Sequence, residues 1–260
     1  MTARAGPTGM TLAKEPPPNL DPASTCLFLD VDGTLLEFGP TPDSVVVDQQ
    51  LLGLLQAGAS ACGGAVALIS GRSLTQLDAL FAPGRWPAAG LHGSERRDAA
   101  GKLHLHGPER LPQAVIDELQ AIARQHPGLV LEDKGRAIAL HYRNAAELGD
   151  RLTQSVNALT KSVGADDVHV QPGDYVLELK ASGITKAHAI NAFMDEPPFR
   201  GRLPVFAGDD LTDLHGFEAV ASHGGIAIAV GPRVTAAHHV ASPAELRAWL
   251  GAFVARGSGA

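Results

Sequence analysis

Asp30-Val31-Asp32-Gly33-Thr34 sets two carboxylates two residues apart, directly after the apolar run Cys26–Leu29. Two other apolar runs also end in polar groups: GAVALI leads into Ser70-Gly71-Arg72, and LPVFAG leads into Asp209-Asp210. In an open parallel sheet, ligands sit beyond the carboxyl ends of the strands, so three such ends would bring hydroxyls and carboxylates to one rim. Carboxylates gathered there are penalised by burial unless positive charge balances them. A divalent cation with oxygen ligands is the natural partner, and Mg²⁺ suits few protein carboxylates completed by a substrate phosphate. Lys186, near a helix start, supplies a further cation. Taken singly, each piece has a plain structural reading: a common DxD, a helix-start turn, a loop cap, a solvated lysine. Their occurrence together and in order is what points to chemistry.

The elements that must position these groups read as strand–helix alternation, the pattern of a parallel sheet with helices on its faces. Asp43 is placed to cap a helix carrying Val47, Leu51, Leu54 and Leu55, and a second helix carries Leu74, Leu77 and Leu80. Near the C-terminus a helix around Ala187–Met194 leads to LPVFAGDD, a helix over Leu211–Val220 and GGIAIAVG. Between these halves the pattern changes. A helix over Leu111–His126 precedes a hairpin over Leu129–Arg143 that turns at Lys134-Gly135. A second helix, marked by Leu148, Leu152, Val156, Leu159 and Val163, precedes a hairpin over Val168–Lys180 that turns at Pro172-Gly173-Asp174. The expected fold is α/β: a Rossmann-like parallel-sheet core over 23–107 and 183–260, with a smaller α+β cap inserted over 108–182. Residues 1–22, rich in Pro, Gly, Thr and Ala, read as a flexible tail.

Bulk properties remove several function classes. A formal charge of −7 argues against a nucleic-acid partner. The N-terminus has no secretory apolar region and no apolar run is long enough to span a bilayer, so a cytoplasmic protein without a membrane partner is expected. Cys26 and Cys62 lie in apolar runs with no metal or disulfide spacing, and read as small buried hydrophobes. A monomer is the working expectation.

Within the cap, Glu132 and Lys134 are two apart and share a face if the strand persists. Alternation puts Tyr175, Leu177 and Leu179 on one side, and Val176, Glu178 and Lys180 on the other. Charges on such a face could grip sugar hydroxyls, or could simply be solvated ion pairs. On pattern alone the solvated face is the simpler reading.

DVDGT, Ser70, Lys186 and GDDLTD resemble the four motifs of the haloacid dehalogenase superfamily of phosphatases, over nearly the whole chain after the tail. The resemblance implies that Asp30 is a nucleophile forming an aspartyl-phosphate, and that Asp32 is first acid and then base. Asp32 would then need an environment that raises its pKa. Ser70 and Lys186 would hold phosphoryl oxygens, with Arg72 also on the substrate side. Asp30, Asp209 and the carbonyl of Asp32 would bind Mg²⁺, supported by Asp210 and Asp213. GLHGSERR, EDK with LHYR, and PGDYVLELK with SGITK are similar to trehalose-6-phosphate phosphatases. That likeness implies a small-molecule sugar phosphate as substrate, with Glu132, Lys134, Arg143 and Glu178 on the distal sugar and His92 and Gly93 bordering the cleft.

Two positions depart from the family pattern: Ala187 follows the motif lysine where Gly is usual, and Leu214 follows Asp213 where Glu is usual. Neither touches the groups needed for phosphoryl transfer. Sucrose 6-phosphate or mannosyl-3-phosphoglycerate hydrolysis, a phosphomutase, and a non-catalytic sugar-phosphate sensor stay open as alternatives.

Overall fold

The computed structural model describes residues 15–39, 45–173 and 175–257. In chain order the core begins with β1 (Thr25–Leu29), α1 (Gln49–Ala61), β2 (Val66–Ile69), α2 (Leu74–Leu80), β3 (Ala88–Gly90), β4 (Glu95–Arg97) and β5 (Leu103–Leu105). The insertion contributes α3 (Gln113–Gln125), β6 (Val130–Asp133), β7 (Ile138–His141), α4 (Gly149–Ser162), β8 (Val168–Gly173) and β9 (Val176–Ala181). The core resumes with α5 (Lys186–Met194), β10 (Leu203–Gly208), α6 (Leu214–Ser222), β11 (Ile226–Val230), β12 (His238–Val240) and α7 (Pro243–Gly257).

The core sheet runs β12-β11-β10-β1-β2-β3-β4-β5, parallel from β12 to β3 and antiparallel at β4 and β5. Every residue of β1 and β2 is buried, as expected for parallel strands covered on both faces. Phe28 on β1 stacks on Phe199 at 5.4 Å and lies 5.9 Å from Phe193, which joins the strand to α5. Both cysteines are fully buried, and burial pushes the Cys26 thiol up to about 12. No helix among the described residues is long and apolar enough to cross a membrane.

The insertion is a second layer, with an antiparallel sheet ordered β6-β7-β9-β8. Val115, Ile116 and Leu119 of α3 and Leu152 and Val156 of α4 pack on Ile138, Leu140, Leu177 and Leu179. The opposite sheet face, carrying Glu178 and Lys180, turns toward the core.

Several elements differ from their sequence reading. The first helix starts at Gln49, with Asp48 accepting from Leu51 N at 2.7 Å; Asp43 lies outside the described residues. Strand pairing in the second hairpin continues to Gly173 opposite Val176, so Pro172 and Gly173 are strand residues; Asp174 lies outside the described residues. Leu211–Asp213 form a 3₁₀ turn ahead of α6, because Asp210 and Asp213 cap it reciprocally. Of the expected free tail, residues 15–22 are attached. Glu15 bridges to His238, and the Trp249 indole donates to Pro18 O at 3.2 Å.

Candidate active site

Because β1 lies between β2 and β10, the three polar strand ends converge at one crevice. Asp30 leaves β1 only 5% exposed, with its amide donating to Ala207 O at 3.0 Å. The Lys186 ammonium, at the first turn of α5, donates to Asp30 Oδ1 and Asp213 Oδ1, both at 2.6 Å. Asp213 Oδ2 in turn accepts from the amides of Asp209 and Asp210 at 2.9 Å each. Thr34 Oγ1 donates to Asp209 Oδ1 at 3.1 Å, and Arg233 donates to Asp209 Oδ2. Asp210 is spent on capping, accepting from Leu211 N at 2.6 Å.

The turn after Asp32 needs glycine. Gly33 has φ +83°, and a Cβ there would collide with the Asp209 carboxylate and the Phe38 ring. This brings backbone, rather than side chain, against the acidic cluster.

Burial pushes the Asp30 carboxyl well above the usual carboxylate range; Lys186 pulls it back, while Asp213 and Asp209 push it further up. Asp209 is also raised by burial, against the pull of Arg233. Although burial opposes it, Asp213 and Asp30 hold the Lys186 ammonium above the ordinary lysine range. Negative charge is thus incompletely neutralised among carboxylates whose oxygens lie within 4.8 Å of one another. All-oxygen, buried and short of positive charge, this donor set fits a hard divalent ion. Asp213 has both oxygens committed to Lys186 and backbone amides. Asp30 would hold the ion beside its bond from Lys186, and Asp209 in exchange for its bonds from Thr34 and Arg233.

Asp32 departs from its expected setting. Arg72 forks onto it, with Nε to Oδ2 and Nη2 to Oδ1 both at 2.7 Å, which is the geometry of an ion pair and not of a carboxylic acid donor. The Arg72 amide also donates to Ser70 Oγ at 3.1 Å. Arg72, expected on the substrate side, is therefore turned inward on Asp32.

The cap residues close the cleft from above. Lys134 donates to Glu178 at 2.9 Å, and His92, from the core, pairs with the other Glu178 oxygen. Glu132 accepts from core Gln76 Nε2 at 2.9 Å and from cap His141 Nε2 at 3.0 Å. Arg143 lies over the Tyr175 ring at 4.8 Å. His92 is held by an unusual backbone, with φ +48° at Leu91 and +55° at His92, and by the missing side chain of Gly71, whose Cβ would strike the imidazole. Gly93 does not present a side chain to the cleft; its φ of +110° and close approach to Thr185 O make it a structural glycine. Burial lowers the His92 pKa, and against burial His92 and Lys134 hold Glu178 well below its usual range. The Glu132 carboxyl is lowered chiefly by its bond from His141. Only about 220 Å³ remains free in the cleft, less than the ~300–1,000 Å³ of typical small-molecule sites. The cap groups are satisfied by core groups in this closed arrangement.

Gln76, His141 and Arg233 line this cleft but were not singled out in the sequence. Arg233 was accessible to the rule used for the other strands, since it follows the end of β11 in Gly231-Pro232-Arg233. Gln76 is camouflaged by a second duty, as its Oε1 completes the α2 capping box with Ser73.

Lys180 is buried on the Glu178 face, not solvated, and burial pushes its ammonium down to about 8 from its usual 10.5. A fall of that size corresponds to on the order of 3 kcal/mol. Between pH 8 and 10.5 the unfolded chain binds the extra proton, so this cost is fully present below pH 8 and is relieved as pH rises through that window. Lys180→Met is expected to be more stable than wild type at pH 7 in urea unfolding, with the advantage shrinking at pH 9.5. A constant difference would contradict this account.

A parallel sheet with carboxylates at the end of its central strand, beneath an inserted cap, is the fold of the haloacid-dehalogenase-like hydrolases. Such a hydrolase from Bacteroides thetaiotaomicron superposes with a TM-score of 0.62 over 88% of this chain and 98% of that one, at 15% identity. The C-terminal domain of C. albicans trehalose-6-phosphate phosphatase superposes with a TM-score of 0.79 over 89% of this chain and 92% of that one, at 21% identity. The trehalose-phosphatase family model matches residues 28–248. In sequence, the chain is 45% identical to the trehalose-6-phosphate phosphatase of Escherichia coli strain K12, over 86% of this chain and 84% of that protein. The chain belongs to the trehalose-phosphatase family.

Proposed function

We propose that the protein hydrolyses trehalose 6-phosphate to trehalose and phosphate, with Asp30 as nucleophile. The observation that carries the reading is one cleft in which a buried carboxylate–lysine pair, Asp30 and Lys186, lies beneath the cap charges Glu132, Lys134 and Glu178. The first group can transfer a phosphoryl group, and the second can hold a polyhydroxylated leaving group.

In the first step an Asp30 oxygen bonds to phosphorus as the sugar–oxygen bond to phosphorus breaks. Asp32, which must first be released by Arg72 and take up a proton from solvent, gives that proton to the departing sugar oxygen. In the second step water attacks the phosphorus of the aspartyl-phosphate, Asp32 takes the water proton, and the bond from phosphorus to the Asp30 oxygen breaks, which frees the carboxylate. Asp32 can do this only once Arg72 lets go, so in this reading Arg72 exchanges Asp32 for a phosphoryl oxygen when substrate enters. Lys186 and Ser70 hold the remaining phosphoryl oxygens. Asp30, Asp209 and the Asp32 carbonyl would hold Mg²⁺, whose charge offsets repulsion between nucleophile and phosphate.

The test is a phosphate-release panel of disaccharide and monosaccharide phosphates with Mg²⁺. Trehalose 6-phosphate is expected to have the highest kcat/KM, and chelation to stop release. More efficient turnover of sucrose 6-phosphate or glucose 6-phosphate would remove the trehalose assignment and leave the chemistry standing. Glu178→Ala is expected to lower kcat/KM for trehalose 6-phosphate by about 10–100-fold, the worth of a lost charge-assisted bond. It should cost far less with p-nitrophenyl phosphate, which has no second sugar to hold.

A further inference from the structure

Lys180 is a buried cation that takes no part in the scheme above. It projects from β9 on the same face as Glu178, is 3% exposed, and among the described residues its ammonium has no hydrogen bond or ion pair. A buried charge without a partner is unfavourable, and a hydrophobic side chain would pack there more stably. Something other than stability is served by a lysine at this position.

A second orphan lies across the same cap–core junction. His92 Nδ1 is buried without a partner, while Nε2 is engaged by Glu178. A neutral imidazole donating through Nε2 presents Nδ1 as an acceptor, and an ammonium has only donors. Lys180 stands two residues from Glu178 on the same face of β9, and Glu178 holds His92 Nε2, so both groups flank one carboxylate. The His92 ring is fixed by its left-handed backbone and by Gly71, whereas the lysine stem is long and flexible. A lysine donor and an imidazole nitrogen, neither with a hydrogen bond among the described residues, therefore flank the same Glu178 carboxylate.

We propose that Lys180 is a positioning residue that donates to His92 Nδ1 when the cap settles on bound sugar phosphate. That bond would complete a chain Lys180–His92–Glu178–Lys134 across the junction. Glu178 is then aimed at the sugar from a fixed imidazole, with both its neighbours and theirs satisfied. The inference rests on the sugar-phosphate reading of the cleft and extends it to a residue outside the reacting groups.

The experiment is steady-state kinetics of the intact chain and its Lys180→Met, Lys180→Arg, His92→Ala and Lys180→Met/His92→Ala variants. Trehalose 6-phosphate and p-nitrophenyl phosphate are compared, with thermal unfolding alongside. Lys180→Met is expected to lose about 10–100-fold in kcat/KM on the disaccharide and much less on the aryl ester, while melting no lower than wild type. Lys180→Arg should recover part of the loss. In the His92→Ala background, Lys180→Met should add less than about twofold, because the two groups act as one unit. Unchanged disaccharide kinetics, equal losses on both esters, or undiminished loss in the His92→Ala background would each overturn the proposal. If wild type hydrolysed no phosphomonoester, the underlying phosphatase reading would fail and take this proposal with it. That outcome shows in wild type alone and is not confused with a silent Lys180 variant.

Discussion

Asp30→Asn is expected to abolish phosphate release, by at least about 10⁴-fold in kcat, while the protein folds and melts no lower than wild type. The activity loss follows from removing the oxygen that bonds to phosphorus, and no neighbour is placed to replace it. Asp32 is held by Arg72, Asp209 by Thr34 and Arg233, and Asp213 by Lys186 and two amides. The stability forecast comes from the same geometry. Asp30 is crowded by Asp213 and Asp209 in a buried site, and these push its carboxyl up. A neutral amide removes that repulsion, and Lys186 keeps Asp213 as its counter-charge at 2.6 Å. Phosphate-release kinetics and thermal unfolding on the same preparation check both halves. Residual turnover within about tenfold of wild type would mean that the nucleophile lies elsewhere.

Asp213→Ala should do the reverse and damage the fold. Its carboxylate is fully buried and satisfies three donors: the Lys186 ammonium and the amides of Asp209 and Asp210. Removing it leaves the buried Asp209 amide and the half-buried Asp210 amide without this acceptor, and Lys186 with only Asp30. Breaking a buried pair in this way costs about 3–5 kcal/mol. Asp210→Ala is the contrast, because its loss removes only a helix-cap bond worth about 1 kcal/mol. Urea unfolding of both variants separates them. A loss below about 1 kcal/mol for Asp213→Ala would show that the acidic loop is held by something other than this carboxylate.

Much of this architecture is legible in the sequence because the relevant strands are buried on both faces and so read as uninterrupted apolar runs. Cys26–Leu29, the GAVALI run and LPVFAG announce themselves, and the polar residues that follow them meet at one crevice. The three-residue strands β3, β4, β5 and β12 do not, since so short a segment has no period to detect. The cap hairpins were visible, but the fate of their polar face was not. Alternation says that Glu178 and Lys180 share a side; whether that side meets water or another layer depends on where the insertion folds back. Arg72 shows a similar limit. Its position after a strand end was readable, but its choice of Asp32 over an incoming phosphate depends on contacts between elements about 40 residues apart.

The strand that carries Asp30 gains one of its two neighbours very late. Thr25 pairs with Leu203, and every residue of β1 has its partner on β10, beyond the whole insertion. While the chain is emerging from the ribosome, β1 and β2 can form with one apolar edge still bare until residue 208 has been made. Such an edge is an invitation to pair with the wrong chain. Truncated products ending inside the insertion are therefore expected to be sticky rather than merely inactive, and early binding of a chaperone to the N-terminal third would serve this fold well.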